Sequence, residues 1–393
     1  MPRSVVRLQQ VRVGELPELA RHALQDRARY GIVPISVQRA QAQAHNPAAS
    51  SDDVGLIVAY LEDRCVGYLG LVPVWLEEGH RRRKILSLST YFVGEDYRGT
   101  GAGTLLLLRA LTLGHALFVV GLSKVADRVC QGLGFRPAGP VVVLNLRIDA
   151  ALVLPILLGR LRHRLGNRAP GFVARALDGV RRLSRRTLEA ALRPLVIRLL
   201  VRPLRIGPGE LVCCAVENTR TPEGLRHDGA LPGGSRFVRD EATVNWMIHN
   251  PWITEDQNVQ LDYVFSYRRE LFRFFPFELR EAASGRNVGY VVLRISTEAG
   301  ETVLRILDCV LVEERHRGHV LHLALREALR WSANRIECGE EFELLLRSSL
   351  FHRVLTRRET RTCLLFTGDP SASSNDPTRE LRVGICDGDA PFV

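Results

Sequence analysis

The chain has 393 residues and a formal net charge of +11, with 46% hydrophobic and 25% charged residues. This composition is ordinary for a globular protein and excludes an intrinsically disordered chain, and the length predicts two domains. The eight cysteines include no Cys-x-x-Cys pair, and the first 30 residues do not resemble a signal peptide. We therefore expect reduced thiols and a cytoplasmic location.

The hydrophobic pattern of the first 150 residues predicts alternating strands and helices. Strands are predicted at 5–13, 54–60, 66–74, 85–93, 118–121 and 141–148, and helices at 15–29, 36–44, 104–111 and from 126 onward. The middle strands form an antiparallel set that begins with a hairpin. The run 103–122 is apolar enough to suggest a membrane span, but the glycines beside it favour a helix and a strand inside an α/β core.

A glycine-rich loop separates the strand at 85–93 from the helix that follows. It reads Arg98-Gly99-Thr100-Gly101-Ala102-Gly103, and Thr104 continues into the helix. Main-chain N–H groups and the helix dipole make such a helix start an anion site, and glycines let a phosphate approach the backbone. The spacing is neither G-x-G-x-x-G nor a Walker loop. The R-x-x-G-x-G pattern instead resembles the pyrophosphate motif of the GNAT acetyltransferase superfamily.

A second motif supports this resemblance. Residues 126–135, which end in Leu133-Gly134-Phe135, are similar to the helix that follows the pyrophosphate loop in GNAT proteins. The resemblance implies acetyl-CoA, or another acyl-CoA, as cosubstrate, and no metal. It assigns the pantetheine arm and the thioester carbonyl to the main chain of Tyr91, Phe92 and Val93. The pyrophosphate would be held by the residues from Arg98 to Thr104.

The resemblance also implies a direct attack of an amine acceptor on the thioester. The family usually has a tyrosine where Cys130 stands and an asparagine where Ser123 stands. We therefore consider Cys130 a candidate proton donor, with an inert buried thiol as the alternative, and Ser123 a candidate cofactor-binding residue. Glu95 and Tyr91 are the other catalytic candidates, Glu95 as a possible base just after the strand.

Residues 151–205 differ from the rest of the chain in charge. They contain 13 arginines and two acidic residues, so they carry the entire basic excess. Apolar residues at helical spacing predict about three short helices, separated by prolines. One interpretation is binding to an anionic membrane surface as a peripheral protein, and another is an interdomain helical pair with solvent-exposed arginines. Nucleic acid is disfavoured because Phe172 is the segment's only aromatic residue.

Residues 210–370 resemble a degenerate copy of the first domain. The segment 288–293 repeats the pattern of 66–71, a strand is predicted at 303–312, and Arg317-Gly318 falls where Arg98-Gly99 does. Val320 and His322 then stand in place of Gly101 and Gly103, so their side chains would exclude a pyrophosphate. A helix at 323–331 and a closing strand at 362–367 follow.

Two further groups of residues in this second half invite a functional interpretation. His316, His319 and His322 are interpreted as surface or packed histidines, because no carboxylate or cysteine set stands nearby at ligand spacing. Aromatic residues are concentrated near the start of the second half, and they predict a hydrophobic core, with an acceptor-binding wall as the alternative. They are Trp246, Trp252, Tyr263, Phe265, Phe272, Phe274, Phe275 and Phe277.

We therefore predict an α/β (α+β) chain of two tandem GNAT folds, each a mixed, mostly antiparallel sheet flanked by helices. The predicted domains are 1–150, a basic helical linker at 151–209, 210–370, and a tail at 371–393 whose last residues could reach back over a cleft. The predicted activity is transfer of an acetyl group from acetyl-CoA to a primary amine. The alternatives are a non-catalytic acyl-CoA-binding protein and a Fem-type aminoacyltransferase.

Overall fold

The structure is a computed structural model. It describes residues 5–26, 31–79, 81–149, 153, 185–204, 210–222, 235–257, 263–265, 267–368, 381–385 and 387–388, with the backbone alone at 185–191. Contacts divide the chain into two compact units. Unit 1 comprises residues 1–141, 224–270 and 360–393, and unit 2 comprises residues 142–223 and 271–359.

The described elements are numbered in chain order. The strands are β1 Val6–Arg12, β2 Val54–Leu61, β3 Arg64–Glu78, β4 Arg81–Val93, β5 Leu117–Val120, β6 Arg136–Arg147, β7 Leu211–Ala215, β8 Ser235–Phe237, β9 Phe272–Glu281, β10 Asn287–Glu298, β11 Glu301–Leu311, β12 Arg335–Cys338, β13 Thr356–Phe366 and β14 Leu381–Arg382. The helices are α1 Leu16–Gln25, α2 Val37–Ala44, α3 Ala102–Leu111, α4 Lys124–Gly132, α5 Arg185–Val201, α6 Glu241–His249, α7 Arg317–Arg330, α8 Glu343–Arg347 and α9 Leu350–Leu355.

The sheet of unit 1 has the strand order β1-β2-β3-β4-β5-β13. Neighbours in this order are antiparallel except for β4 and β5, which are parallel. The continuous apolar run of β2 is typical of a strand that is buried on both faces. Its residues alternate accordingly: Ile57 packs in the core on the α3 side, whereas Leu56 and Val58 pack in the core with α1.

The sheet of unit 2 has the order β6-β12-β11-β10-β9-β7, and β11 and β12 are its parallel pair. Helix α7 contributes Val320, Leu321 and Ala324 to the core of this unit. Both units therefore have a mixed, mostly antiparallel sheet flanked by helices, and the predicted fold class is confirmed.

Each unit includes strands from the other half of the sequence, and in unit 1 these are β8, β13 and β14. In unit 1, residues Cys363–Phe366 of β13 pair with β5. In unit 2, residues Leu144–Arg147 of β6 pair with β12. The compact units are thus discontinuous in sequence, whereas the predicted domains are contiguous stretches. The boundaries at 150, 209 and 370 stay predictions.

The predicted basic linker falls mostly outside the described residues, which include only Val153 and 185–204 of it. Within that part, Val196, Ile197 and Leu200 of α5 are buried in the core of unit 2. These side chains stabilise the unit by burial and are not presented to a membrane surface. Among the described helices, none has the length and apolarity needed to cross a bilayer.

The aromatic residues predicted as one group divide between the two units. Tyr263 stacks on Tyr68 in unit 1, with ring centroids 6.3 Å apart, and Trp252 of the same unit lies under the Arg39 guanidinium at 4.0 Å. In contrast, Phe272, Phe274, Phe275 and Phe277 lie on β9 of unit 2. Trp246, Trp252, Tyr263, Phe272 and Phe277 are buried, which agrees with the core interpretation for these five.

Candidate functional site

Strand β4 separates from β5 partway along its length. The parallel pairing consists of Leu86 with Leu117 and Ser87 with Phe118. Residues 90–93 form the end of β4, and within the described part of the chain they have no ladder partner on β5. Their main-chain groups on this side are therefore available to a ligand.

A β-bulge lies in β4 at the start of this unpaired edge. The register with β3 shifts between the pair Tyr68–Phe92 and the pair Gly70–Ser89. Thr90 takes up the bulge with φ of +50°, an uncommon and strained value for a residue with a side chain. Beyond the bulge, Tyr91 packs on the α3 side of the sheet and Phe92 on the opposite side.

The glycine loop ends in an uncapped helix start. Gly99 and Gly101 have φ of +90° and +85°, which is the left-handed region that glycine adopts without strain. Gly101 is the N-cap of α3, and no side chain accepts a hydrogen bond there. A Cβ atom at either glycine would have no neighbour within 4 Å. The first turn of α3 therefore offers main-chain N–H groups and the positive end of its dipole to open space.

The polar residues of the loop are partly engaged with one another. The Thr100 hydroxyl donates to the Tyr97 carbonyl at 2.8 Å, and it accepts from the Ala102 N–H at 3.4 Å. The Arg98 guanidinium pairs with the Glu95 carboxylate at 3.3 Å, and both side chains are exposed. Thr104 is exposed in the first turn of α3. Glu95, the candidate base, is thus a surface ion-pair partner of the candidate pyrophosphate ligand.

Two predicted catalytic residues lie together behind the loop. The Tyr91 side chain is half-buried, and its hydroxyl contacts the Cβ position of Gly103. Burial raises the pKa of Tyr91, and the nearby Cys130 thiol raises it further. Cys130 is 1% exposed, and burial, with a smaller contribution from Asp127, raises its pKa to about 11. The thiol is therefore protonated at neutral pH.

Ser123 has a local structural role. Its hydroxyl accepts a hydrogen bond from the Ala126 N–H at 3.3 Å and so caps helix α4. The side chain is exposed, and this N-cap contact satisfies one of the first N–H groups of the helix.

The C-terminal segment also reaches this part of unit 1. Gly388 lies beside the last pair of β4 and β5, since a Cβ atom there would be 3.1 Å from Ser87 Oγ and 3.5 Å from Phe118. Asp387 holds the segment in place by accepting two hydrogen bonds from the Arg239 guanidinium, at 2.7 and 3.1 Å. Sequence analysis did not single out Ser87 or Arg239, because their roles depend on contacts across about 150 residues or more.

The histidines of unit 2 surround a carboxylate. His316 and His319 are buried, and each Nε2 atom lies 3.7 Å from an oxygen of Glu210. Burial lowers the pKa of His319, and Glu210 opposes that shift. This carboxylate could not be predicted from the sequence near the histidines, because Glu210 is more than 100 residues away. A search of the described residues finds no group of three or more His, Cys, Asp or Glu side chains arranged to bind a metal.

Comparison with known proteins agrees with this geometry. The sequence model of the acetyltransferase (GNAT) family matches residues 20–129, which include β4, the glycine loop and α3. The predicted resemblance is thereby confirmed, and this segment is a GNAT domain. No curated protein matches the chain.

Solved structures with a similar fold have little sequence in common with the chain. A conserved protein from Enterococcus faecalis V583, described as a "Probable N-Acyltransferase", has a TM-score of 0.50 and 8% identity over 92% of this chain and 73% of its own. A GCN5-related N-acetyltransferase from Anabaena variabilis ATCC 29413 has a TM-score of 0.49 and 12% identity, over 93% and 73% of the two chains. A tandem GNAT protein from the clavulanic acid biosynthesis pathway has a TM-score of 0.47 and 14% identity, over 93% and 99%. From the first of these we take the shared fold alone.

Proposed function

We propose that unit 1 transfers an acetyl group from acetyl-CoA to a primary amine. The family match supports acyl transfer in general. The observation that carries the proposal is the unpaired edge of β4 beside the uncapped, glycine-rich start of α3. An extended arm with amide groups suits the strand edge, and a diphosphate suits the helix start.

The residues of the site have separate roles in this proposal. The main chain of Tyr91, Phe92 and Val93 would bind the pantetheine arm and polarise the thioester carbonyl. The N–H groups from Gly99 to Thr104 would hold the diphosphate, and Arg98 would exchange its exposed partner Glu95 for a phosphate oxygen. The domain accelerates the reaction mainly by positioning the thioester for attack by the amine.

The departing thiolate needs a proton, and Cys130 is a poor source of it. A thiolate of ordinary pKa, about 8.5, would have to take the proton from a thiol of pKa about 11. That transfer is uphill by roughly 3 kcal/mol. We therefore propose that Cys130 packs behind the loop and that the thiolate leaves without help from it.

A non-catalytic acyl-CoA-binding protein is the second candidate. It is favoured by the buried thiol of Cys130 in the position where the family usually has a tyrosine, and by the exposed, ion-paired state of Glu95. Neither residue is then equipped to move a proton. Binding of acetyl-CoA without thiol release on any amine acceptor would favour this candidate.

Titration calorimetry with acetyl-CoA tests the donor site, with Gly101→Ala as the variant and Gly114→Ala as its matched control. Both glycines have positive φ, and a Cβ atom at either would have no neighbour within 4 Å, but Gly114 follows the far end of α3. Both variants should lose about 1 kcal/mol of stability from backbone strain. We expect Gly101→Ala alone to weaken binding, by about tenfold or more, or ~1.4 kcal/mol. Equal affinity of the two variants would contradict the proposed site.

A free-thiol release assay over a panel of primary amines then tests transfer. We expect release with at least one acceptor, and a loss of release in Gly101→Ala at subsaturating acetyl-CoA. The cytoplasmic location and the binding of residues 151–205 to an anionic membrane remain hypotheses. Co-sedimentation with anionic and neutral liposomes checks the second one, by comparing the full chain with a variant whose arginines between 160 and 182 are replaced by glutamine, which leaves the core residues of α5 in place.

A further inference from the structure

Unit 2 contains a cavity that is unrelated to the glycine loop. Its volume is about 280 Å³, and it is a half-open cavity lined by residues of α8, α9 and the start of β13. Leu144 and Leu346 form its apolar wall. One water occupies about 30 Å³ in the liquid, so the cavity is large enough for a small organic molecule.

The charged side chains of this cavity are mostly arginines. Arg347, Arg353 and Arg358 line it, together with the single carboxylate of Glu343. Arg347 is 2.6 Å from Glu343, and Arg358 is 3.8 Å from the same carboxylate. Arg358 is also 3.6 Å from Glu340, which is not part of the lining. The lining carries three positive charges and one negative charge, and Glu340 offsets part of the charge of Arg358.

Arg353 is the arginine whose charge is not offset. Within the described residues it pairs with no carboxylate, and its only recorded hydrogen bond is that of its main-chain N–H to Ser349. Its side chain extends from α9, whereas Arg347 and Arg358 extend from α8 and β13. The lining thus includes one exposed arginine from each of three elements, and a guanidinium fork binds an oxyanion with paired hydrogen bonds.

Thr356 contributes a hydroxyl that lacks a partner. Its Oγ1 atom is buried, and within the described residues it makes no hydrogen bond, although the residue lines the cavity. A buried hydroxyl without a partner is unfavourable, because it has lost its hydrogen bonds to water without replacement. A ligand oxygen in the cavity would remove that cost, because a threonine hydroxyl can donate to it.

We propose that this cavity binds an organic phosphate monoester. A phosphate monoester carries about −1.5 to −2 charges at pH 7, so it can pair with more than one of these arginines, whereas a carboxylate carries one charge. Its three terminal oxygens can accept from Arg353, Arg358 and the Thr356 hydroxyl. The organic part of the molecule then packs against Leu144 and Leu346. This site is independent of the function proposed for unit 1.

Calorimetric titration of the full chain with phenyl phosphate tests the proposal, with inorganic phosphate and benzoate as comparison ligands. We expect phenyl phosphate to bind most tightly, because it alone combines a dianion with an apolar body. Arg353→Gln should weaken its binding about tenfold or more. Arg330→Gln is the matched control, because Arg330 is an exposed arginine on α7 of the same unit, paired with Glu327 and outside the cavity.

Two further variants should change the affinity for phenyl phosphate in opposite directions. Thr356→Val keeps the size of the side chain and removes the hydroxyl, so phenyl phosphate should bind about fivefold more weakly with no loss of thermal stability. Glu343→Gln removes the carboxylate of the lining, so binding should become a few-fold tighter at low salt. A role of Thr356 in folding alone would change the melting temperature and leave the affinity as it is.

Three results would overturn the proposal. One is no binding of phenyl phosphate to the wild-type chain, and another is an equal loss of affinity in Arg330→Gln and Arg353→Gln. The third is benzoate binding as tightly as phenyl phosphate, which would show that the cavity does not select a dianion.

Discussion

The strand, loop and helix of the proposed donor site in unit 1 have a counterpart in unit 2, and the two differ in where the helix begins. In unit 1, α3 begins at Ala102, after two glycines with positive φ. In unit 2, α7 begins at Arg317, the residue that corresponds to Arg98. The second helix therefore starts four residues earlier in the aligned sequences. One extra helical turn occupies the position of the loop.

The extra turn closes the helix start to a ligand. His316 is the N-cap of α7 with right-handed φ and ψ, and it is buried beside Glu210. The Arg317 guanidinium donates to the Glu341 carbonyl and pairs with Glu314. Side chains thus cover the region that is open around Gly99 and Gly101 in unit 1. Gly318 stands where Gly99 does but lies within α7 without positive φ, and Val320 stands where Gly101 does, so no positive-φ residue interrupts this turn of the helix.

Other features of the site are retained in unit 2. Strand β11 pairs with β12 from Val303 to Arg305 and then continues to Leu311 without a β12 partner among the described residues, although it stays paired with β10. A register shift between β10 and β11 also leaves Leu307 as an extra residue. The two units therefore share the separation of the parallel pair and the bulge. They differ in the start of the helix, where Val320 stands in place of Gly101.

The largest loss of stability that tests this comparison is expected for Val320→Gly. This variant restores glycine at the position corresponding to Gly101. Val320 is fully buried within α7, so the variant loses side-chain packing and helix propensity together. We expect a loss of about 3–5 kcal/mol in the free energy of unfolding of unit 2. Urea unfolding combined with hydrogen exchange of the α7 amides measures it.

Val320→Ala is the control for Val320→Gly, since it removes most of the packing and keeps the helix propensity. It should be about 1 kcal/mol more stable than the glycine variant. Neither variant should add a second acetyl-CoA site in calorimetry, because the helical turn and the His316 and Arg317 contacts remain. A second site in Val320→Gly would show that one glycine is enough to reopen the helix start.

The sequence predicted the parts of this comparison that depend on local pattern. The glycines, the strand before them and the helix after them are adjacent in the chain, so their conformations follow from propensity and spacing. Partners that are distant in sequence could not be predicted in this way. The apolar run at 362–367 predicts a strand, but its pairing with β5 depends on the fold of the whole chain. The approach of Tyr91 to Cys130 and the position of Gly388 beside Ser87 likewise have no local signal.

A smaller loss of stability is expected for a substitution at Gly103, which corresponds to His322 in unit 2. A Cβ atom at Gly103 would collide with the Tyr91 hydroxyl and lie 3.3 Å from Val93. Gly103→Ala should therefore cost about 1–3 kcal/mol in stability through overpacking. Adding Tyr91→Phe removes the colliding oxygen, so the double variant should recover part of that loss. Urea unfolding of the two single variants and the double variant measures the coupling, and strictly additive losses would contradict the contact.

The smallest loss of stability depends on pH and comes from the thiol of Cys130. This residue lies behind the glycine loop of unit 1. Its pKa is raised by burial from 9.0 to about 11, so the folded state binds the thiol proton more tightly than the unfolded state. The resulting stability is fully present below pH 9 and is lost as the pH rises towards 11. At pH 10 the loss should be about 1 kcal/mol.

Cys130→Ala isolates this effect, because the other buried thiols titrate in both proteins and the cavity left by the smaller side chain has the same cost at every pH. Wild type should exceed Cys130→Ala in the free energy of unfolding at pH 8, and that advantage should be smaller by about 1 kcal/mol at pH 10. A constant advantage would mean that the pKa of the folded thiol is not raised, and an advantage that grows with pH would mean that this pKa is lowered. In either case Cys130 would again be a candidate proton donor.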